Sequence, residues 1–101
     1  MNELMTKELE EVLHKLYATE NIKLEEKILQ VRYISINSNW EWYLVEYDKD
    51  KKLAFGYVIG IEKDRELGYF SLEEFQEVNE ERIEIVRDTE FKAIKFKELK
   101  C

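Results

Sequence analysis

No proline occurs in this chain of 101 residues, and glycine appears three times and cysteine once. That scarcity excludes a polyproline ligand, a flexible glycine-rich linker and a collagen-like or low-complexity segment. The one cysteine, Cys101, is the last residue, so no internal disulfide can form. A reducing cytoplasm is therefore the expected compartment. The one histidine, His14, has no second histidine or internal cysteine with which to build a zinc site. We expect no metal and no cofactor, and His14 at the surface. No apolar run approaches the ~20 residues that a membrane-spanning helix needs. Residues 1–20 carry Glu3, Glu8, Glu10 and Glu11 and lack the apolar stretch of a secretory signal. Repeats of 20–50 residues, a phosphate-cradling glycine loop and a nucleophile-elbow serine are all missing.

What is present describes one small domain over residues 1–101. Aromatic residues make up 13% of the chain, enough buried surface to offset chain entropy and argue against disorder. The formal charge is -7, whereas a nucleic-acid binder gains its affinity by releasing phosphate counterions and should be basic. Direct nucleic-acid binding is excluded on that ground.

Leu9, Val12, Leu13, Leu16 and Tyr17 recur at helical spacing, which predicts a helix over residues 6–17 with Thr6 as N-cap. Glu8 lies where the helix dipole favours a carboxylate. A polar loop follows over residues 18–27. From Ile28 the residue types favour strands: Ile28–Ile36, Trp40–Tyr47 and Leu53–Gly60, the last two joined by the charged turn Asp48-Lys49-Asp50-Lys51-Lys52. Pairing Tyr47 with Leu53 sets Val45 opposite Phe55, Tyr43 opposite Tyr57 and Glu41 opposite Ile59. Tyr43, Val45 and Tyr47 then share one face, while Trp42, Leu44 and Glu46 share the other. Both faces are largely apolar, which places this hairpin centrally. Leu67–Phe70 is a fourth strand, and it runs into Ser71-Leu72-Glu73-Glu74, a capping box flanked by the staple pair Phe70 and Phe75. A second helix is expected over residues 72–80 with Leu72, Phe75 and Val78 inward. Arg82–Val86 and Phe91–Phe96 read as two more strands joined near Asp88-Thr89. The fold class is α+β, an antiparallel sheet of five or six strands with two helices.

Residues 62–90 hold eleven acidic and four basic side chains, whereas residues 91–101 hold one acidic and four basic. The negative charge thus gathers around the second helix, where Glu73, Glu74, Glu77, Glu80 and Glu81 share a face. Such a row costs a few tenths of a kcal/mol per like-charged pair. It serves either as a solvated face that aids solubility or as a row of anions for a basic groove. The aromatics crowding Trp40 to Tyr57 read mainly as core, and Trp40, next to a turn, is the candidate anchor for a partner. Glu46, alone in an apolar strand, could with Glu66 form an acid–base pair, or could instead satisfy a backbone amide or pair with Arg32 or Arg87. No catalytic residue is assigned.

Several blocks in order carry a resemblance. They are Leu4-Met5-Thr6-Lys7-Glu8-Leu9, Leu16-Tyr17-Ala18-Thr19-Glu20, Ser38-Asn39-Trp40-Glu41-Trp42-Tyr43, Glu46-Tyr47-Asp48, Phe55-Gly56-Tyr57-Val58-Ile59-Gly60 and Glu66-Leu67-Gly68-Tyr69-Phe70-Ser71-Leu72-Glu73-Glu74. Over residues 4–88 the chain resembles the small bacterial domain-of-unknown-function family numbered twenty-nine fifty-eight, and the tail after Thr89 falls outside the likeness. The resemblance implies an accessory protein of plasmids, conjugative elements or phages, and it transfers no activity and no residue role. The expected function is a non-catalytic inhibitor of a host nucleic-acid-binding defence complex, of the anti-CRISPR or anti-restriction type. Its partner would be a CRISPR effector or restriction nuclease, met by Glu73, Glu74, Glu77, Glu80, Glu81 and Trp40, with the chain a monomer or homodimer. The alternatives are a small hydrolase-like enzyme using Glu46 and Glu66, and a structural adaptor in plasmid transfer or maintenance.

Overall fold

The β-branched and aromatic residues that begin at Ile28 do pair as strands. The computed structural model describes residues 3–60 and 65–99, so Cys101 lies outside the described residues. The strands are β1 Ile28–Leu29, β2 Val31–Ser35, β3 Glu41–Asp48, β4 Leu53–Ile59, β5 Arg65–Ser71, β6 Ile85–Arg87 and β7 Ile94–Lys95; the helices are α1 Lys7–Val12 and α2 Leu72–Glu81. Five strands form an antiparallel sheet in the order β5-β4-β3-β2-β6, and β1 and β7 form a separate two-stranded ladder. The architecture is α+β.

The β3–β4 hairpin is central and buries both faces. On the helix side, Val31, Tyr33, Leu44, Ala54, Phe70 and Phe75 join one cluster. On the opposite side, Leu29, Tyr43, Val45, Tyr57 and Ile59 form a second, covered by Phe91, Phe96 and Leu99 from the C-terminal segment. Short 3-10 turns at Leu24–Glu26 and Phe96–Glu98 close that second side.

The expected register holds for half of the hairpin. Glu41 lies opposite Ile59 and Tyr43 opposite Tyr57, but beyond Leu44 the ladder slips, pairing Glu46 with Phe55, Tyr47 with Ala54 and Asp48 with Leu53. Val45 is the extra residue of a β-bulge. The slip reverses the expected faces of the last residues: Tyr47 joins the helix-side core, and Glu46 turns to the other side. Opposite the bulge, a Cβ on Gly56 would come within 1.8 Å of the Tyr43 carbonyl oxygen, so only glycine permits this approach.

Two elements are shorter than their periodicity suggests. The first helix begins as expected, with the Thr6 hydroxyl accepting from the Leu9 amide at 3.2 Å, but it ends at Val12 rather than at residue 17. Beyond the reach of β2, the Tyr47 amide of β3 needs an acceptor, and the His14 carbonyl supplies it at 2.8 Å. That tertiary bond outweighs continued helix and leaves Val12 and Tyr17 exposed at 62% and 64%. Likewise the expected strand Ile28–Ile36 divides at Gln30, so that β1 pairs with β7 while β2 pairs with β3 and β6. The two C-terminal strands are therefore not a hairpin. The turn between them does form, with Asp88 accepting from the Glu90 amide at 3.0 Å.

Candidate functional site

The sequence of α2 separates cleanly by face. Its N-cap forms as expected, the Ser71 hydroxyl accepting from the Glu74 amide at 3.2 Å. The Phe70 and Phe75 rings stack at 5.7 Å across it. Leu72 and Phe75 are buried, but Val78, expected inward, is 44% exposed. Asn79 takes the inward position instead. Its side chain donates to the Ile85 carbonyl at 2.7 Å and accepts from the Glu84 and Ile85 amides at 2.9 and 3.0 Å. A three-bond anchor to β6 holds the helix more firmly than a valine methyl could, which is why the stripe shifts by one residue.

The outward face carries Glu73, Glu74, Glu77, Glu80 and Glu81, all exposed. At 100° per residue they fall within roughly one third of the helix circumference. Glu74, Glu77 and Glu81 line a shallow open groove with Val78, Arg82 and Glu84. Arg82 pairs with Glu84 at 3.2 Å. Among the described residues, no ion pair reaches the five glutamates. Two cations of the C-terminal segment are engaged elsewhere: Lys95 and Lys97 both pair with Glu26, at 3.2 and 3.1 Å, and hold its carboxyl below the usual range, Lys97 more strongly.

Trp40 is half-buried. Its indole stacks on Trp42 at 5.8 Å, and Trp42 meets Phe75 edge-on at 4.8 Å. A Cβ on Gly60 would lie 3.0 Å from the Trp40 ring, so the glycine makes room for the indole. Trp40 thus sits on the α2 side of the sheet, tied through Trp42 to the buried face of the helix.

Glu46 and Glu66 do not converge. Glu66 lies opposite Val58 on β5 and is exposed, whereas the bulge sends Glu46 to the other side, where it is 3% exposed. There its carboxylate accepts from the Tyr17 amide at 2.8 Å and the Thr19 amide at 3.0 Å, and from the Thr19 hydroxyl. Lys27, also buried, donates to the Thr19 carbonyl at 2.6 Å and to its hydroxyl at 3.1 Å. The hydroxyl therefore accepts from the ammonium and donates to the carboxylate. This group fixes the loop after α1, including Tyr17 in the left-handed region at φ 70°. Glu46 serves the backbone, one of the roles its position in the sequence allowed. Lys27 and Thr19 gave no signal in the sequence, because only a bulge brings Glu46 to them. Beside them, Tyr17, Phe55, Leu67 and Tyr69 border a recess of about 240 Å³.

The second polar centre is Arg32, which pairs with Glu41 at 2.7 Å and Asp88 at 2.8 Å and contacts the Tyr43 hydroxyl at 3.1 Å. Burial works against its charge, but the bonds to Glu41 and Asp88 more than offset that and raise its pKa. Burial, followed by the Glu41 acceptor, pushes the Tyr43 hydroxyl up to about 12. Arg32 thereby ties β2, β3 and the turn after β6 together.

The α2 carboxylates are thus an exposed row on an α+β scaffold, while Glu46 and Arg32 are hydrogen-bonded within the protein. Among the described residues, no helix is long and apolar enough to cross a membrane. The chain belongs to the family described as Protein of unknown function (DUF2958), which it matches over residues 4–97. The match extends past Thr89 and takes in β7, so the C-terminal segment is part of the family's domain rather than outside the likeness. No curated protein and no solved structure matches the chain.

Proposed function

We propose that this chain is a non-catalytic binding protein that presents the α2 carboxylates to a cationic surface of a nucleic-acid-binding defence complex. The partner class is a restriction nuclease or a guide-loaded effector, whose channels hold phosphate backbone with Lys and Arg. One observation carries the reading: Glu73, Glu74, Glu77, Glu80 and Glu81 stand exposed on one helix face while Lys95 and Lys97 pair with Glu26. Like-charged neighbours on a helix repel, and a cationic groove would relieve that cost while gaining complementarity. Trp40, on the same side of the sheet, would add apolar anchoring. The link to plasmids, conjugative elements and phages supports the choice of a defence complex over other basic proteins, and it rests on family likeness alone.

The test is inhibition of DNA binding by candidate effectors of the native host, with the wild-type chain and with the triple variant Glu73→Lys, Glu77→Lys, Glu80→Lys. Inhibition by the wild type and its loss in the triple variant is the expected result. Full inhibition by the triple variant would rule the mechanism out.

A further inference from the structure

The two edges of the five-stranded sheet are built differently. β6 is three residues long, and the N-terminal segment reaches it where Arg87 Nε donates to the Glu3 carbonyl at 2.8 Å. A short strand is one way natural sheets protect an edge. β5 is seven residues long and pairs with β4 along its whole length. Among the described residues, no backbone bond reaches its outer side, and α2 leaves from its end to cross the sheet towards β6. On the face away from α2, Leu67 and Tyr69 are 39% and 51% exposed, and the Tyr69 ring continues inward to Phe55 at 5.1 Å. Long and partly apolar edges of this kind invite another strand.

The β5 sequence identifies the occupant. Arg65-Glu66-Leu67-Gly68-Tyr69-Phe70-Ser71 is centred on Gly68. Antiparallel pairing with an identical strand about that glycine sets Leu67 opposite the second copy's Tyr69, and Tyr69 opposite its Leu67. An aromatic–aliphatic pair thus forms twice on one face. Arg65 comes opposite Ser71 of the second copy, so no like charges face one another at either end of the ladder. Gly68 meets its own counterpart at the axis, and nothing lies within 4 Å of where its Cβ would be, so close backbone approach is unobstructed. We propose that the chain forms a two-fold symmetric dimer through β5, extending each five-stranded sheet into one continuous ten-stranded sheet.

Seven residues span about 23 Å and supply roughly six to eight ladder hydrogen bonds. One strand pair with its flanking side chains is a small interface, so association belongs in the micromolar range. The two-fold axis stands perpendicular to the sheet, and both α2 helices therefore lie on the same side. This pairing does not depend on what α2 binds.

Sedimentation equilibrium across the micromolar range tests it, with circular dichroism to confirm folding. The wild type should dimerise. Leu67→Lys alone and Tyr69→Glu alone should each weaken the dimer at least tenfold. The double variant Leu67→Lys, Tyr69→Glu should recover most of the loss, because the register sets each new lysine against the other copy's new glutamate. A wild-type chain that stays monomeric, or a dimer indifferent to both single changes, would overturn the proposal. Failure of the double variant to recover would overturn this register.

Discussion

Glu46 is a buried carboxylate on which the loop after α1 depends. Its carboxylate is the acceptor for two loop amides and, through the Thr19 hydroxyl, the counter-charge of buried Lys27. Removing one member of a buried ionic group leaves the other uncompensated, at a cost of about 3–5 kcal/mol. Glu46→Ala should therefore lose that much stability in urea unfolding, a large share of the roughly 5–15 kcal/mol a small domain has. Glu46→Gln, which keeps the shape and one acceptor oxygen, should lose about 1–3 kcal/mol. Glu66→Ala, at an exposed position, should change stability by less than about 0.5 kcal/mol. The Arg32 centre contributes to the pH response at both ends. Burial opposes the Glu41 charge, yet bonds from Tyr43 and Arg32 hold its carboxyl below the ordinary 4.5. A depressed carboxyl contributes stability above its unfolded value, and that contribution is lost as pH falls through the folded value. Tyr43 has the opposite sign: raised from 10.0 to about 12, it contributes below its unfolded value and loses the contribution as pH rises towards 12. Unfolding midpoints should fall on both sides, below about pH 4.5 and above about pH 10. Arg32→Met should flatten the acid limb.

At the scale of elements, the bulge in β3 decides which face each residue of the hairpin serves, and Gly56 is what allows it. Gly56→Ala should destabilise by more than about 3 kcal/mol, because the added methyl meets the Tyr43 carbonyl, a backbone group that cannot swing aside. Gly68→Ala should be neutral or stabilising by up to about 1 kcal/mol, since its Cβ meets open space and alanine restricts the unfolded chain. Thermal unfolding of the two variants side by side checks the contrast. These elements also mark where the sequence was legible. Ser71 with Phe70 and Phe75 announced α2 because its cap and staple are local, settled within six residues. The β3–β4 hairpin was readable as central because both of its faces are apolar. What could not be read was set by distant partners: the end of α1 by the Tyr47 amide, the division at Gln30 by β7, and the inward turn of Asn79 by β6. The bulge at Val45 reversed Tyr47 and Glu46 for the same reason, since alternation along one strand carries no notice of an extra residue. The five glutamates of α2 were legible as one face because helical spacing is fixed, whereas the Thr19 and Lys27 partners of Glu46 depend on that bulge.

For the whole molecule, the distribution of charge is the governing feature. The net -7 is not spread evenly, and the fold separates its parts. Lys95 and Lys97 are on the side of the sheet closed by Phe91 and Phe96, paired to Glu26, while the glutamates of α2 lie across the sheet from them. A surface field built this way is strong at low ionic strength and fades within a Debye length of about 8 Å in physiological salt. Binding that relies on it should weaken steeply with salt, chiefly through a slower association rate. The most direct measurement is titration calorimetry of the chain against a candidate effector freed of nucleic acid, at several salt concentrations. The account predicts that affinity falls with each increase in salt and that the Glu73→Lys, Glu77→Lys, Glu80→Lys variant loses at least tenfold at low salt. An affinity that is independent of salt and unchanged in that variant would contradict it.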